Sequence, residues 1–163
     1  MSVRAERDLA VAGIGSMVVD RIRRVRRILG PEQKASVRLM PDGLPVRSFV
    51  GGVVLNHLGS AAALGLRAGL KQADDAEGRF LRSAMDRLGI VRDLVLDGSA
   101  SSTAEIFVDD EGERAIYMAP GATAETTAEH VERHHAATIA RARRVTPEVR
   151  QLQLSAVAAV LRR

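Results

Sequence analysis

Short, uniformly apolar stretches alternate with amphipathic stretches along most of this chain. Residues 9–15 (Leu-Ala-Val-Ala-Gly-Ile-Gly) are all apolar, which predicts a strand buried on both faces, as in a parallel sheet. Residues 74–89 begin with acids, carry apolar side chains at helical spacing and end at a glycine, which predicts a capped amphipathic helix. Because strand and helix patterns follow each other in turn, we predict an α/β fold with a mainly parallel sheet.

Two other regions have the alternation and turn residues of antiparallel strand pairs. Residues 103–108 and 114–118 alternate well and are joined by an acidic turn with a glycine, which predicts a hairpin. Residues 35–39 and 44–50 flank a Pro-Asp-Gly turn and predict a second hairpin outside the main sheet. The rest of segment 21–43 is polar and is predicted to be irregular.

The last third of the chain predicts a helix, a strand and a final helix. The first helix covers about residues 127–141, and a strand over 145–149 is weakened by Pro147. The final helix starts at Leu154 and is apolar nearly all round, so it requires cover on several sides. We therefore expect these 163 residues to end in the middle of a fold.

Composition narrows the class of protein. A chain of 163 residues with 46% hydrophobic and 2% aromatic residues suits one domain with an aliphatic core. The absence of cysteine excludes disulfides and thiolate metal sites. The first eight residues lack the apolar run of a signal peptide, and no stretch reaches the ~18–20 apolar residues of a membrane span. These features predict a cytoplasmic protein without a membrane partner.

The net charge of +4 raises the question of a nucleic-acid partner. The densest basic run, residues 21–27, has no interleaved aromatic side chains on which bases could stack. A solvated basic face is therefore favoured over a nucleic-acid surface. The alternative predicts binding that weakens steeply with salt.

Residues 11–18 partly match a dinucleotide-binding fingerprint. Val18 stands where the third glycine belongs, and no clean amphipathic helix follows. NAD binding is therefore disfavoured.

His130 and His134 are four residues apart on one predicted helix, a spacing that can hold zinc. In the zinc-protease motif a glutamate follows the first histidine, whereas Val131 stands here, and the sequence offers no evident third ligand. We therefore predict a solvated helix face and no metal site.

A pair of glycines and two polar side chains give the best candidate site. Gly51 and Gly52 open an apolar helix with Asn56 one turn inside it, and the first N–H groups of a helix favour hydroxyls and anions. Asp20 follows the first strand, where ligands of open α/β sheets bind. From the residues alone, a tight turn before a buried helix and a capping role for Asp20 remain open.

Five segments in this order resemble the N-terminal half of the ribokinase-like, or PfkB-type, carbohydrate kinases. They are residues 11–20 ending in Gly-Ser and then an Asp, the Gly-Gly-x-x-x-Asn helix at 51–66, Asp-Asp-x-x-Gly at 74–78, the Thr-led hairpin at 103–118 and Pro-Gly-Ala at 120–122. The resemblance runs from about residue 9 to the C-terminus. It implies a partial central sheet flanked by helices, with a small β lid made from about 33–50 and 102–119.

The resemblance also implies an activity and a site. The family transfers the γ-phosphate of ATP, with Mg²⁺, to a sugar hydroxyl. By position, Asp20 and Asn56 would bind sugar hydroxyls, while Gly51 and Gly52 would let the sugar approach the helix. The lid implies a possible homodimer.

Departures from the family pattern limit these expectations. The second family signature, Asp-Thr-x-Gly-Ala-Gly-Asp, carries the catalytic Asp and does not occur in these residues. We therefore assign no catalytic residue, expect no tight ATP binding and expect an inactive fragment. Val18, Val53 and Val54 replace residues common in ribose-specific members, which disfavours ribose. The alternative function is a non-catalytic sugar-binding or dimerisation module.

Overall fold

A computed structural model describes residues 8–60, 66–97, 100–148 and 154–162. In chain order the elements are β1 (Leu9–Ile14), β2 (Val18–Arg24), β3 (Arg47–Gly51), α1 (Val53–Ser60), β4 (Leu66–Gln72), α2 (Ala76–Arg87), β5 (Val91–Leu96), β6 (Ser102–Val108), β7 (Arg114–Ala119), α3 (Gly121–Ala124), α4 (Ala128–His134), α5 (Ala136–Arg141), β8 (Ala142–Pro147) and α6 (Leu154–Leu161).

The main sheet has the strand order β5-β4-β1-β8, and all of its pairings are parallel. This confirms the predicted α/β fold. The strand predicted at 145–149 begins earlier, at Ala142, and Pro147 lies at its end beside Ile14 of β1. Because β8 pairs only with β1 among the described strands, a proline is tolerated there.

A second sheet has the order β3-β2-β6-β7, with β2 parallel to β6 and the other pairs antiparallel. The hairpin predicted at 103–118 is confirmed as β6 and β7. Its acidic turn is held by Asp109, whose Oδ1 accepts hydrogen bonds from the backbone N–H groups of Glu111 at 3.1 Å and Glu113 at 2.9 Å.

The other predicted hairpin is wrong. Segment 44–50 contributes β3, which pairs with β2, whereas segment 35–39 makes only an isolated bridge between Arg38 and Arg24. Strand β2 itself lies partly in the segment predicted to be irregular. Its Arg21 pairs with Glu77 and Glu105 from distant segments, so the charge on this strand is neutralised by tertiary contacts that a local pattern does not reveal. These ion pairs also engage part of the basic run that suggested nucleic acid.

The helix predicted over 127–141 is divided into α4 and α5. His135 lies between them with φ −118° and ψ −3° and is fully buried. Burying this imidazole requires polar partners, while the backbone keeps the helical hydrogen bonds from His135 N to Val131 O and from Ile139 N to His135 O, both at 2.9 Å. The short helix α3 precedes this region.

The core consists of two apolar clusters on the main sheet. One includes Leu55 and Leu58 of α1 with Leu81 and Met85 of α2. Met85 is fully buried in this cluster, whereas Leu88, after the end of α2, is 38% exposed. The other joins α6 to Ile14, Val131 and Ile139, so the described chain covers one side of the apolar final helix. None of the described helices is long and apolar enough to cross a membrane.

Asp75 connects helix α2 to the start of β6. Its Oδ1 caps the helix by accepting from Gly78 N at 2.7 Å, and its Oδ2 accepts from Ser101 N at 2.7 Å. Burial raises the pKa of this carboxyl, but the hydrogen bonds from Ser101 and Gly78 outweigh it and the net pKa is lowered. The ionised form is therefore the one that the fold stabilises.

Replacing Asp75 by alanine should lower the free energy of unfolding by about 1–3 kcal/mol at pH 7, because the cap of α2 and the acceptor for the N–H of Ser101 are lost. Since its pKa is lowered in the folded state, the contribution of Asp75 is present above about pH 4 and is lost as the pH falls through the folded-state pKa. Urea denaturation at pH 3–7 measures both effects. Asp86→Ala is the control, because it removes an acid of the same helix whose pair with Arg92 at 3.1 Å is exposed; an equal loss in the two variants would contradict the assignment.

Candidate functional site

Asp20 and Gly51 lie diagonally on one face of the second sheet, because Val18 is opposite Gly51 and Asp20 is opposite Phe49. A methyl group built on Gly51 would overlap both carboxylate oxygens of Asp20. Any side chain at this position would therefore displace the carboxylate. The structure brings together these two residues of the predicted site.

The carboxylate of Asp20 is partly buried and has no protein partner among the residues that the structure describes. Within the described ranges it accepts no hydrogen bond and forms no ion pair. Burial raises its pKa, because removing the ionised group from water is not compensated by a donor. Such an oxygen pair is an acceptor for the hydroxyl groups of a ligand.

Apolar side chains flank this carboxylate across the sheet. The four strands β3, β2, β6 and β7 place one residue each in register, namely Phe49, Asp20, Ala104 and Met118. Of these, Phe49 is 46% exposed and Met118 is 47% exposed. Small-molecule sites combine apolar walls with a few placed polar groups. A sugar ring, with apolar C–H faces and polar hydroxyls, has the complementary chemistry.

Gly52 makes the turn between β3 and α1. Its φ is +93°, and a methyl group there would overlap the carbonyl oxygen of Ser16. The hydroxyl of Ser16 accepts the N–H of Val53 at 3.2 Å. One of the N–H groups expected to be open at this helix start is therefore occupied by the protein itself.

Glu148 holds this turn from the far end of the chain. Its Oε2 accepts from Ser16 N at 2.7 Å, and its own N–H donates to the carbonyl oxygen of Ile14 at 3.0 Å. The sequence pattern indicated a site role for neither Ser16 nor Glu148. The available signal was an acid just after β8, at the carboxyl end of a strand that lies beside β1.

Asn56 lies in the first turn of α1, where its backbone N–H donates to Gly52 O at 3.0 Å. The residue is exposed. Its side-chain amide has no hydrogen-bond partner in the part of the chain that the structure describes. It is therefore available to a ligand.

A cavity of about 260 Å³ lies on the opposite face of the second sheet. Its lining is mainly apolar and includes Val25, Arg27, Phe107, Ala115 and Tyr117. None of the predicted site residues contributes to it.

Comparison with known proteins gives consistent matches. The sequence model of one family, described as pfkB family carbohydrate kinase, matches residues 9–158. An uncharacterized sugar kinase of Archaeoglobus fulgidus is 44% identical over 52 residues, which cover 31% of this chain and 21% of that protein. The chain spans much less than two thirds of the length of this relative.

Two solved ribokinase structures are similar in fold. That of Giardia lamblia has a TM-score of 0.74 and 19% identity, with 94% of this chain and 46% of that chain covered. That of Thermotoga maritima has a TM-score of 0.63 and 25% identity, with 74% of this chain and 39% of that chain covered. The fold is therefore ribokinase-like, and the chain spans less than half of either ribokinase.

Proposed function

The chain belongs to the pfkB family of carbohydrate kinases, and we propose that its 163 residues form the sugar-binding part of such a kinase. The proposal places the sugar on the face of the second sheet that carries Asp20, beside the turn at Gly51 and Gly52. The lid of this site consists of the segments at about 33–50 and 102–119, which contribute strands β3, β6 and β7 to the second sheet. The family relation makes the kind of enzyme a sugar kinase, a phosphotransferase.

This proposal depends on the carboxylate of Asp20, which has no partner in the described part of the chain. A carboxylate accepts charge-assisted hydrogen bonds, which are stronger than those between neutral groups. Placed between apolar neighbours, it orients a polyol by its hydroxyls while the C–H face of the ring contacts Phe49 or Met118. Asn56 adds an exposed amide one helical turn from the glycine turn.

We propose no site for the triphosphate of ATP in these residues and expect no tight ATP binding by them alone. The sequence contains no Gly-Ala-Gly-Asp segment, and we assign no side chain to the phosphates, to Mg²⁺ or to the catalytic base. We propose that this chain binds a sugar without transferring phosphate by itself. Phosphoryl transfer depends on positioning and electrostatic stabilisation of the transferred group, and other residues would have to supply both.

A homodimer through the lid is part of the same proposal. Phe49, Ile116 and Met118 are each about half exposed on one face of the sheet. An apolar face of this kind is typical of a surface that is covered by another molecule.

Calorimetric titration of the 163-residue chain with a panel of pentoses, hexoses and nucleosides tests the function. We expect one sugar to bind with saturation, while coupled-enzyme assays detect no sugar-dependent ATP turnover. Gly51→Ala should weaken sugar binding at least about 10-fold, because the new methyl displaces the Asp20 carboxylate. The change in unfolding free energy should stay below about 1 kcal/mol, since a flexible carboxylate moves at little cost.

Gly30→Ala is the matched control, because a methyl group there meets no atom closer than 3.9 Å. Equal sugar affinity in Gly51→Ala and Gly30→Ala would contradict the proposed site, and no saturable sugar binding by the unmodified chain would contradict the function. Sedimentation velocity on the same samples tests the dimer, which a single monomeric species at all concentrations would exclude.

A further inference from the structure

Three imidazoles meet where α4 ends and α5 begins. The Nε2 atoms of His130 and His135 are 3.3 Å apart, and the ring centres are 5.2 Å apart. The ring centre of His134, on the exposed side of α4, lies 4.9 Å from that of His130. This cluster is separate from the proposed sugar site on the second sheet.

His135 is the fixed member of the cluster. It is fully buried, and its Nδ1 lies 3.4 Å from Oδ2 of Asp93 on β5, an oxygen that also accepts the hydroxyl hydrogen of Thr138. A carboxylate at Nδ1 favours the tautomer with the proton on that nitrogen, which leaves the lone pair of Nε2 directed at His130. In many metal sites a histidine binds the metal through one ring nitrogen and donates the N–H of the other to a carboxylate.

The separation of the two Nε2 atoms matches a shared metal ion. Two imidazole nitrogens at about 2.0–2.1 Å from a tetrahedral metal lie about 3.3–3.4 Å apart. The same separation also allows a direct N–H···N hydrogen bond between the two rings, which a bound metal ion would replace. No group of three or more potential ligands surrounds a common metal position among the described residues, so the pair is the preformed part of the site.

We propose that Nε2 of His130 and Nε2 of His135 bind a divalent transition-metal ion such as Zn²⁺, Ni²⁺ or Cu²⁺. His134, four residues after His130 on α4, supplies a third imidazole by rotation of its exposed side chain, and water completes the coordination. Imidazole ligands suit these metals. The ion connects α4 to the α5 junction and, through Asp93, to the main sheet, so it stabilises this side of the fold.

The test uses the full chain, without a polyhistidine tag, after removal of metal by a chelator. Titration with CuCl₂ and ZnCl₂ should show one bound ion per chain and a raised melting temperature. The electron paramagnetic resonance spectrum of the Cu²⁺ form should show hyperfine coupling to at least two nitrogens. Fewer than two coupled nitrogens in the unmodified chain would overturn the proposal, whatever the association state of the protein.

Variants assign the ligands. His130→Ala should weaken Zn²⁺ binding at least about 100-fold, and Asp93→Asn, which keeps the side-chain shape, about 10–100-fold. His134→Ala changes an exposed residue, so its folding is secure, and it should remove one nitrogen coupling. His57→Ala removes the remaining histidine, which lies on α1, and should leave binding unchanged. Equal Zn²⁺ affinity in His57→Ala, His130→Ala and His134→Ala, or the absence of saturable binding, would refute the site.

Discussion

Replacing Gly52 by alanine should lower the free energy of unfolding by about 2–4 kcal/mol, a large share of the stability of a domain of this size. Two effects add. The backbone of Gly52 has φ +93°, which side-chain-bearing residues rarely adopt, and the new methyl would overlap the carbonyl oxygen of Ser16. This oxygen belongs to the backbone, and Ser16 is held by hydrogen bonds to Glu148 and Val53, so it cannot move away at little cost.

Gly43→Ala separates the two effects. Gly43 has φ +77°, and a methyl group there meets nothing within 4 Å. It should therefore lose only the conformational part, about 1–2 kcal/mol. Urea denaturation of the two variants at pH 7 measures the difference. Equal losses would show that the contact between Gly52 and Ser16 adds nothing to stability.

The parts of the fold that could be predicted from the sequence are those whose signal is local. β1 is a continuous apolar run, α2 has a cap and an apolar stripe, and the hairpin of β6 and β7 has alternation and a glycine turn. Strand β2 was missed because its arginines look solvated in the sequence, whereas Arg21 is neutralised by Glu77 and Glu105. The break at His135 was missed because its partners lie on other elements.

The candidate site could be proposed from the sequence as a set of residues but not as an arrangement. The resemblance pointed to Asp20 and Gly51, yet their contact follows from the register of β2 with β3, and the sequence predicted a different partner for β3. The hydrogen bond between Ser16 and Glu148 joins residues 132 positions apart. No periodicity connects such a pair, so only the adjacency of β1 and β8 reveals it.

The structure also distinguishes residues that maintain the shape of the candidate site from the residue that is proposed to contact the ligand. Ser16 is hydrogen-bonded to Glu148, and Gly52 lies directly against the Ser16 carbonyl oxygen, so changing any of these residues should cost stability first. Asp20 has no partner among the described residues, and under the proposed function it gains one only when a sugar is bound. A residue kept for function in this way often reduces the stability of the unliganded protein.

Asp20→Asn should therefore change affinity and stability in opposite directions. The amide keeps the shape that Gly51 accommodates but loses the charge, so sugar affinity should fall about 100-fold or more, as expected when a charge-assisted acceptor is removed. At pH 7 the unliganded variant should be more stable than the unmodified chain by up to about 1 kcal/mol, because an uncompensated, partly buried charge is removed.

The stability difference between Asp20→Asn and the unmodified chain should increase with pH. Burial raises the pKa of Asp20 in the folded state, so the folded protein binds this proton more tightly than the unfolded chain. The cost of the charge is absent below the ordinary pKa of about 3.9 and becomes complete as the pH rises through the raised folded-state pKa. The stability advantage of Asp20→Asn should thus be small near pH 4 and full at pH 7.

Urea denaturation between pH 4 and pH 7, combined with calorimetric sugar titration, measures both effects in the same preparations. Asp110→Asn is the control, because Asp110 is an exposed acid paired with Arg38 at 2.8 Å, and exposed pairs contribute little. Were Asp20→Asn less stable than the unmodified chain at pH 7, the carboxylate would have a structural partner and a stabilising role. Unchanged sugar affinity would show that Asp20 does not belong to the binding site. Lower affinity together with higher stability would show that its carboxylate contributes to ligand binding and not to folding.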